Sequence, residues 1–180
     1  MRLRKILGSS IRKMQSFGFY RQAARWVCPR FVIREAAQAD MALIEAHFNP
    51  NSDSPPHLLG PGVTNFVACR KKKITGFVQL VRHGKTDSPY SGFWLFSLHV
   101  WPLYRGMGIG EALSRRIMER ARAENARELS LLVYEDNQAA LRMYTKLEFA
   151  RIIIPELEKM LEDEKASSGR RRIVMCRKIY

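Results

Sequence analysis

Hydrophobic positions along this chain fall into two kinds of segment, short apolar runs and longer stretches with an apolar residue every three to four positions. The short runs predict strands, and the longer stretches predict amphipathic helices. From residue 31 onward they predict the order β-α-β-β-β-α-β-α-β-α-β. The predicted strands are 31–34, 65–70, 74–82, 92–100, 129–134, 149–154 and 172–180, and the predicted helices are 41–48, 108–125, 137–146 and one that begins at Pro155.

Individual residues refine these elements. Ile109, Leu113 and Ile117 lie four apart, which makes the second helix the most regular helical pattern in the chain. Asp40 and Asn137 are predicted to be N-caps of their helices. The predicted strand 129–134 is apolar almost throughout, as is typical of a strand buried on both faces. Residues 166–169 are predicted to be a loop.

The net charge of +14 is unevenly distributed over the 180 residues. Nine Arg and Lys but no Asp or Glu lie between Met1 and Arg34. Residues 1–30 are therefore predicted to be a basic N-terminal arm or helix. Such an arm could contact an anionic membrane surface or nucleic acid, or serve as an organelle presequence. A solvated arm, or a helix that packs on its own domain or on a partner subunit, fits the same pattern.

Other features narrow the class of protein. No run of about 18 apolar residues is present, so no transmembrane segment is expected. Cys28, Cys69 and Cys176 are widely separated and lack the spacing of metal ligands. Reduced thiols and a cytoplasmic location are therefore expected, and no metal is predicted.

A cluster of glycines joins the fourth predicted strand to the second helix. Gly106, Gly108 and Gly110 leave backbone N–H groups accessible at a helix N-terminus, an arrangement that suits a pyrophosphate. A dinucleotide-binding fingerprint would require glycine where the chain has Glu111. A P-loop would require Gly-Lys-Ser/Thr, which is absent. Neither of these two phosphate-binding motifs is present.

Two segments carry a family resemblance. Arg105, Gly108 and Gly110 match a Gln/Arg-x-x-Gly-x-Gly/Ala signature, and residues 137–144 match an Asn-x-x-Ala-x-x-x-Tyr helix. On these residues the chain resembles the GNAT superfamily of acetyl-coenzyme-A-dependent N-acetyltransferases. The resemblance covers residues 31–180, which are predicted to form the N-acetyltransferase domain. Glu148 replaces a glycine common in the family, and we expect this to alter the turn after the helix.

The resemblance implies an α/β (α+β) fold with a central mixed, mostly antiparallel sheet flanked by helices. Its fourth and fifth strands splay apart to admit the pantetheine arm of acetyl-coenzyme A (acetyl-CoA). Backbone groups near Leu98 and Val100 would hold this arm, and N–H groups from Met107 to Glu111 would hold the pyrophosphate. The residues assigned to acetyl-CoA binding are Leu98, Val100, Arg105, Gly106, Met107, Gly108, Ile109, Gly110, Glu111 and Asn137.

The resemblance also suggests catalytic groups. Tyr144 occupies the position of the family's tyrosine and is predicted to protonate the departing thiolate. The resemblance assigns no general base, because Leu132 stands where relatives that acetylate protein N-termini often carry glutamate. Glu135 is the substitute we select, while Asp136, His99 and proton loss through water are alternatives.

The function that the resemblance implies is acetyl transfer from acetyl-CoA to a primary amine by direct attack in a ternary complex. The acceptor is a small molecule or a protein, and the sequence leaves a homodimer open. The basic arm would add contact with an anionic surface. The alternative is a non-catalytic coenzyme-A-binding or scaffold domain that its arm tethers to membrane or RNA.

Overall fold

The computed structural model describes residues 31–48, 60–84 and 86–180. Its strands are β1 (Val32–Glu35), β2 (Val63–Arg70), β3 (Lys73–His83), β4 (Gly92–Val100), β5 (Glu128–Tyr134), β6 (Ala150–Ile152) and β7 (Arg172–Lys178). Its helices are α1 (Gln38–Phe48), α2 (Ile109–Ala123), α3 (Gln138–Lys146) and α4 (Pro155–Ser168). The strands form one sheet in the order β1-β2-β3-β4-β5-β7-β6, in which β4 and β5 are parallel and the other neighbours are antiparallel.

The predicted element order and the mixed, mostly antiparallel sheet are confirmed. The predicted basic arm, residues 1–30, lies outside the described residues. The predicted loop at 166–169 is wrong, because α4 continues to Ser168 and ends at Gly169, whose φ of 71° is the left-handed conformation that favours glycine. Glu148 has a φ of 63°, so the glycine-type turn is kept contrary to expectation.

Helices cover both faces of the sheet. On one face α2 and α3 bury a large cluster that includes Leu95, Leu113 and Leu131. On the other face α1 packs on β2 and β3, and α4 packs on Trp94 and Val174. The central strand β5 is thus buried from both sides, which explains its nearly continuous apolar sequence. None of the helices in the described part of the chain is long and apolar enough to cross a membrane.

The sheet opens between β4 and β5. These two strands pair only at Phe93–Leu129, Trp94–Ser130 and Leu95–Leu131. Beyond Leu95, β4 continues to pair with β3, while β5 continues to pair with β7. The predicted splaying of the fourth and fifth strands is therefore confirmed.

A β-bulge in β4 accompanies this opening. Phe96 pairs with Gln79 and His99 pairs with Phe77, so two residues of β4 oppose one residue of β3. Ser97, the first of those two, has a φ of 54°. Bulges bend and twist a strand, and this bulge lies where β4 leaves β5.

The start of α1 differs from the prediction. The helix begins at Gln38, so Asp40 is not the N-cap but lies in the first turn. Its carboxylate accepts hydrogen bonds from the Ala37 backbone N–H at 2.7 Å and from the Arg34 guanidinium at 2.6 Å and 3.0 Å. Asp40 thus reaches back to the residue before the helix, as the acidic member of a capping box does.

Removal of this carboxylate is expected to destabilise the fold. Asp40→Ala should lower the free energy of unfolding by about 1–2 kcal/mol, because an N–H group at the helix start and Arg34 lose their acceptor. Urea unfolding followed by circular dichroism measures this. Asp163→Ala, at an exposed acid of α4, is the matched control and should change stability by less than about 0.5 kcal/mol.

The same contribution should depend on pH. The hydrogen bonds from Arg34 and then from the Ala37 N–H hold the pKa of Asp40 below its usual value. A depressed native pKa contributes stability above the unfolded value of about 3.9, and this contribution disappears as the pH falls through the lower native pKa. The difference between wild type and Asp40→Ala should therefore narrow below about pH 3.9. A difference that stays constant with pH would contradict this account.

Candidate active site

Two neighbouring cavities lie at the opening between β4 and β5. The larger has a volume of about 510 Å³ and lies against the start of α2 and one side of α3. The smaller, of about 320 Å³, lies between β4 and β5. Leu98 and Ala140 line both. The larger is lined by Leu98, Val100, Tyr104, Arg105, Gly106, Met107, Gly108, Ile109, Gly110, Glu111, Ala139, Ala140, Arg142, Met143 and Lys146.

The start of α2 forms a wall of accessible main-chain N–H groups. Gly106 and Gly108 both have a φ of 80°, which favours glycine, and Gly108 is the N-cap of the helix. A Cβ atom added at either residue would meet no heavy atom within 4 Å, so this stretch of backbone is open on the side where a side chain would stand. The first N–H groups of a helix have no intrahelical partner and carry partial positive charge. This wall is therefore suited to an anion.

Basic side chains surround the same cavity. Arg105, Arg142 and Lys146 belong to its lining, together with one carboxylate, Glu111. Lys146 Nζ lies 2.8 Å from Glu111 Oε2, and Arg115 donates to Glu111 Oε1 at 3.0 Å. These two hydrogen bonds hold the pKa of Glu111 below its usual value. Because these three cations outnumber the one carboxylate, the net charge of the lining is positive.

Tyr144 lies in the smaller cavity, on the face of α3 that packs against the sheet. The side chain is buried, and its ring packs edge-on against Phe149 with 5.6 Å between ring centroids. Burial raises the pKa of the phenol above its usual value. A phenol is protonated at neutral pH even with its ordinary pKa of about 10, and burial disfavours the phenolate further.

Two other predicted residues lie outside both linings. Asn137 caps α3 as predicted, since its Oδ1 accepts a hydrogen bond from the Ala140 N–H at 3.2 Å. Glu135 follows β5 and is bound by Arg151 at 3.0 Å. The structure brings together the predicted residues from Leu98 to Glu111 with Tyr144, but it does not bring Glu135 to either cavity.

Comparison with known proteins agrees with this geometry. Residues 22–149, more than half of the chain, match the model of the acetyltransferase (GNAT) family. The chain belongs to the GNAT acetyltransferase family. An acetyltransferase of Pectobacterium atrosepticum is 36% identical over 70 residues, which are 39% of this chain and 50% of that protein. The chain thus matches half the length of this curated relative.

Solved structures of the GNAT fold superpose on most of the chain. A nourseothricin acetyltransferase gives a TM-score of 0.63 at 23% identity, with 83% of this chain and 99% of that chain covered. A Bacillus anthracis protein assigned as a streptothricin acetyltransferase, solved in complex with acetyl coenzyme A, gives a TM-score of 0.64 at 17% identity and covers 84% of this chain and 99% of that chain. At these identities the likeness establishes the fold.

Some of the residues that line the two cavities were missed by sequence reasoning. Arg142 and Lys146 lie one helical turn apart on α3 and line the larger cavity. Two basic residues at this spacing lie on one face of a helix, so the sequence could have indicated them. Ser97, Leu132 and Arg172 line the smaller cavity. Arg172 had no recognisable signal, because it comes from a strand 40 residues beyond Leu132 in sequence.

Proposed function

We propose that this GNAT family member transfers the acetyl group of acetyl-CoA to a primary amine by direct attack in a ternary complex. The observation that supports this most strongly is that the two cavities are adjacent and share lining residues. A wall of accessible N–H groups and basic side chains leads, past the shared residues Leu98 and Ala140, to a buried tyrosine hydroxyl. An anionic carrier held at one end would thus present its reactive group at the other.

The larger cavity fits the diphosphate of the donor. Backbone N–H groups between Met107 and Glu111 would bind its oxygens. Arg142 and Lys146 would add cationic donors from the opposite wall, and such charge-assisted hydrogen bonds are about twice as strong as neutral ones. Arg105 also donates its Nε–H to the Val100 carbonyl at 3.0 Å, which ties the loop before α2 to the end of β4.

The edge of β4 fits the extended part of the donor. Between Phe96 and Val100 this strand has left β5, so the β5-facing main-chain groups near Leu98 are available to an extended ligand. A chain of amides can lie along such an edge as an added strand. A main-chain N–H directed at the thioester carbonyl would stabilise the negative charge that develops there. The donor itself supplies the activated acyl group.

Three proton transfers complete the reaction. An alkylamine with a pKa of about 10.4 must lose a proton before it attacks. Because Glu135 is paired with Arg151 and lies outside both cavities, we propose that this proton leaves through water. Tyr144 would then donate its proton to the departing thiolate, and the proton that the amine nitrogen loses as the amide forms would return the phenolate to its neutral form. Most of the rate enhancement would come from the orientation of the amine against the thioester.

The proposal is tested by binding and by turnover. Titration calorimetry should show saturable binding of acetyl-CoA, and S-acetyl-pantetheine, which lacks the phosphates and the adenosine, should bind at least about 100-fold more weakly. Release of free thiol with a panel of primary amines should then reveal catalysis. Absence of binding would overturn the proposal. Binding of acetyl-CoA without release of thiol in the presence of any amine would instead support the coenzyme-A-binding scaffold.

A further inference from the structure

The smaller cavity has a distinctive charge. Among the described residues that line it, Arg172 is the only one with a charged side chain. The other lining residues are Leu95, Phe96, Ser97, Leu98, Leu132, Val133, Ala140 and Tyr144. Arg172 is the first residue of β7 and pairs with Tyr134 at the end of β5, so its backbone is fixed by the sheet that borders the opening. Because the other lining residues are uncharged, an interaction between Arg172 and an opposite charge in this cavity is stronger than it would be in water.

Within the described part of the chain, hydrogen bonds hold the Arg172 guanidinium on one edge. Glu164 of α4 accepts hydrogen bonds from Arg172 Nε, at 3.0 Å, and from Nη2, both on the same carboxylate oxygen. A guanidinium has five N–H donors, and the three that remain make no hydrogen bond to the described residues. The Arg172 side chain is 30% exposed. Its plane is therefore fixed, and because Arg172 lines the cavity we assign the remaining N–H groups to a ligand.

The available edge is suited to a carboxylate. A guanidinium binds a planar carboxylate with two parallel N–H···O bonds, and a fixed plane reduces the entropy lost on binding. A polycationic acceptor would instead meet a like charge next to the reacting amine.

We infer that Arg172 binds a carboxylate of the acceptor, so that the substrate class is a primary amine that also carries a carboxylate, as an amino acid does. The inference rests on the proposed function and names its acceptor. Glu164 is a positioning residue, since it acts through the orientation of Arg172. Tyr144 lines the same cavity, which places the carboxylate and the reacting amine in one compartment.

Matched acceptors test this with the wild-type protein. Free amino acids are compared with their carboxamides in the thiol-release assay, with spermidine as a polycationic acceptor. The less basic amine of the carboxamide is neutral to a larger fraction at the assay pH, so a preference for the acid cannot come from a larger share of neutral amine. We expect kcat/KM for the acid to exceed that for the carboxamide at least about 10-fold. Two dipeptides with an amidated C-terminus, one with aspartate and one with asparagine in the second position, show whether the carboxylate belongs to a free amino acid or to an acidic peptide.

Variants test the residue itself. Arg172→Gln should lower kcat/KM for the carboxylate acceptor roughly 10- to 100-fold, mainly through KM, and leave the carboxamide rate and the affinity for acetyl-CoA within about 2-fold. Arg172→Lys should restore part of the loss. Arg170→Gln is the matched control, because that neighbouring arginine is paired with Asp136 and lies outside both cavities. It should leave the preference unchanged.

Several results would overturn the inference. Equal wild-type rates for acid and carboxamide, or a preference for spermidine, would show that the protein does not recognise a carboxylate on the acceptor. The proposed acetyl transfer would be unaffected by this result. This comparison needs no variant, so it decides the question even if Arg172→Gln does not fold. An equal loss of kcat/KM for both acceptors in Arg172→Gln would show that Arg172 has only a structural role. If wild type failed to bind acetyl-CoA at all, the proposed function would fall and the acceptor assignment with it.

Discussion

Gly108→Asp is expected to weaken acetyl-CoA binding by at least about 100-fold without unfolding the protein. The new carboxylate would stand at the N-cap of α2, among the N–H groups proposed to bind the phosphates. Two unit charges about 4 Å apart interact by about 4 kcal/mol near a protein surface, which is more than this factor requires. A Cβ at this position meets no heavy atom within 4 Å, so the fold should tolerate it. Titration calorimetry gives the affinity, and thermal unfolding checks the fold.

Gly108→Asn separates charge from backbone conformation. The φ of 80° at Gly108 is strained for most residues, but both Asn and Asp tolerate this left-handed region better than others do. The two variants therefore share the backbone cost and differ in charge. Gly108→Asn should lose no more than about 10-fold in affinity. Equal affinities in the two variants would contradict phosphate binding at this helix start.

Tyr144→Phe is expected to lower kcat by about 100-fold or more while the affinity for acetyl-CoA stays within a factor of about two. The substitution removes the hydroxyl that we propose as the proton donor and keeps the ring that packs on Phe149. Positioning and main-chain interactions remain, so residual turnover is expected. Steady-state kinetics with saturating acetyl-CoA, together with calorimetry, separates the two parameters.

Tyr134→Phe provides the control for a lost tyrosine hydroxyl. Tyr134 ends β5, packs under the Arg170 guanidinium at 3.9 Å and lies outside both cavities. Its kcat should match that of wild type. Unchanged turnover in Tyr144→Phe would remove this residue from its role as an acid. If an amine of lower pKa, which loses its proton more easily, restored the rate of Tyr144→Phe, the role of Tyr144 would instead lie in the deprotonation of the amine.

Much of the fold could be predicted because local patterns were consistent with it. The four-residue spacing of Ile109, Leu113 and Ile117 predicted a helix, and all three are buried in the main core. The glycines before them predicted an accessible helix start, which the φ of 80° at Gly106 and Gly108 matches. These features depend on neighbours within a few positions, and such dependence is visible in a single sequence.

The remaining features depend on contacts between distant segments. Ser97 adopts a left-handed conformation that its residue type does not suggest, because the bulge is set by the pairing of β4 with β3. Arg172 reaches the smaller cavity only because β7 pairs with β5. Asp40 was correctly predicted to stabilise the start of a helix but was placed at the wrong position. It lies in the first turn, where its carboxylate accepts hydrogen bonds from Arg34 and from the Ala37 N–H. Pairing partners of this kind are not encoded in local periodicity.

The ion pair between Lys146 and Glu111 joins residues 35 positions apart in sequence and fastens the end of α3 to the first turn of α2. The helix that Lys146 ends also carries Tyr144, two positions earlier. A shift of α3 would therefore move Lys146, a proposed phosphate contact, and Tyr144, the proposed proton donor, together. Under the proposed function, this one helix couples the hold on the acyl carrier to the placement of the phenol.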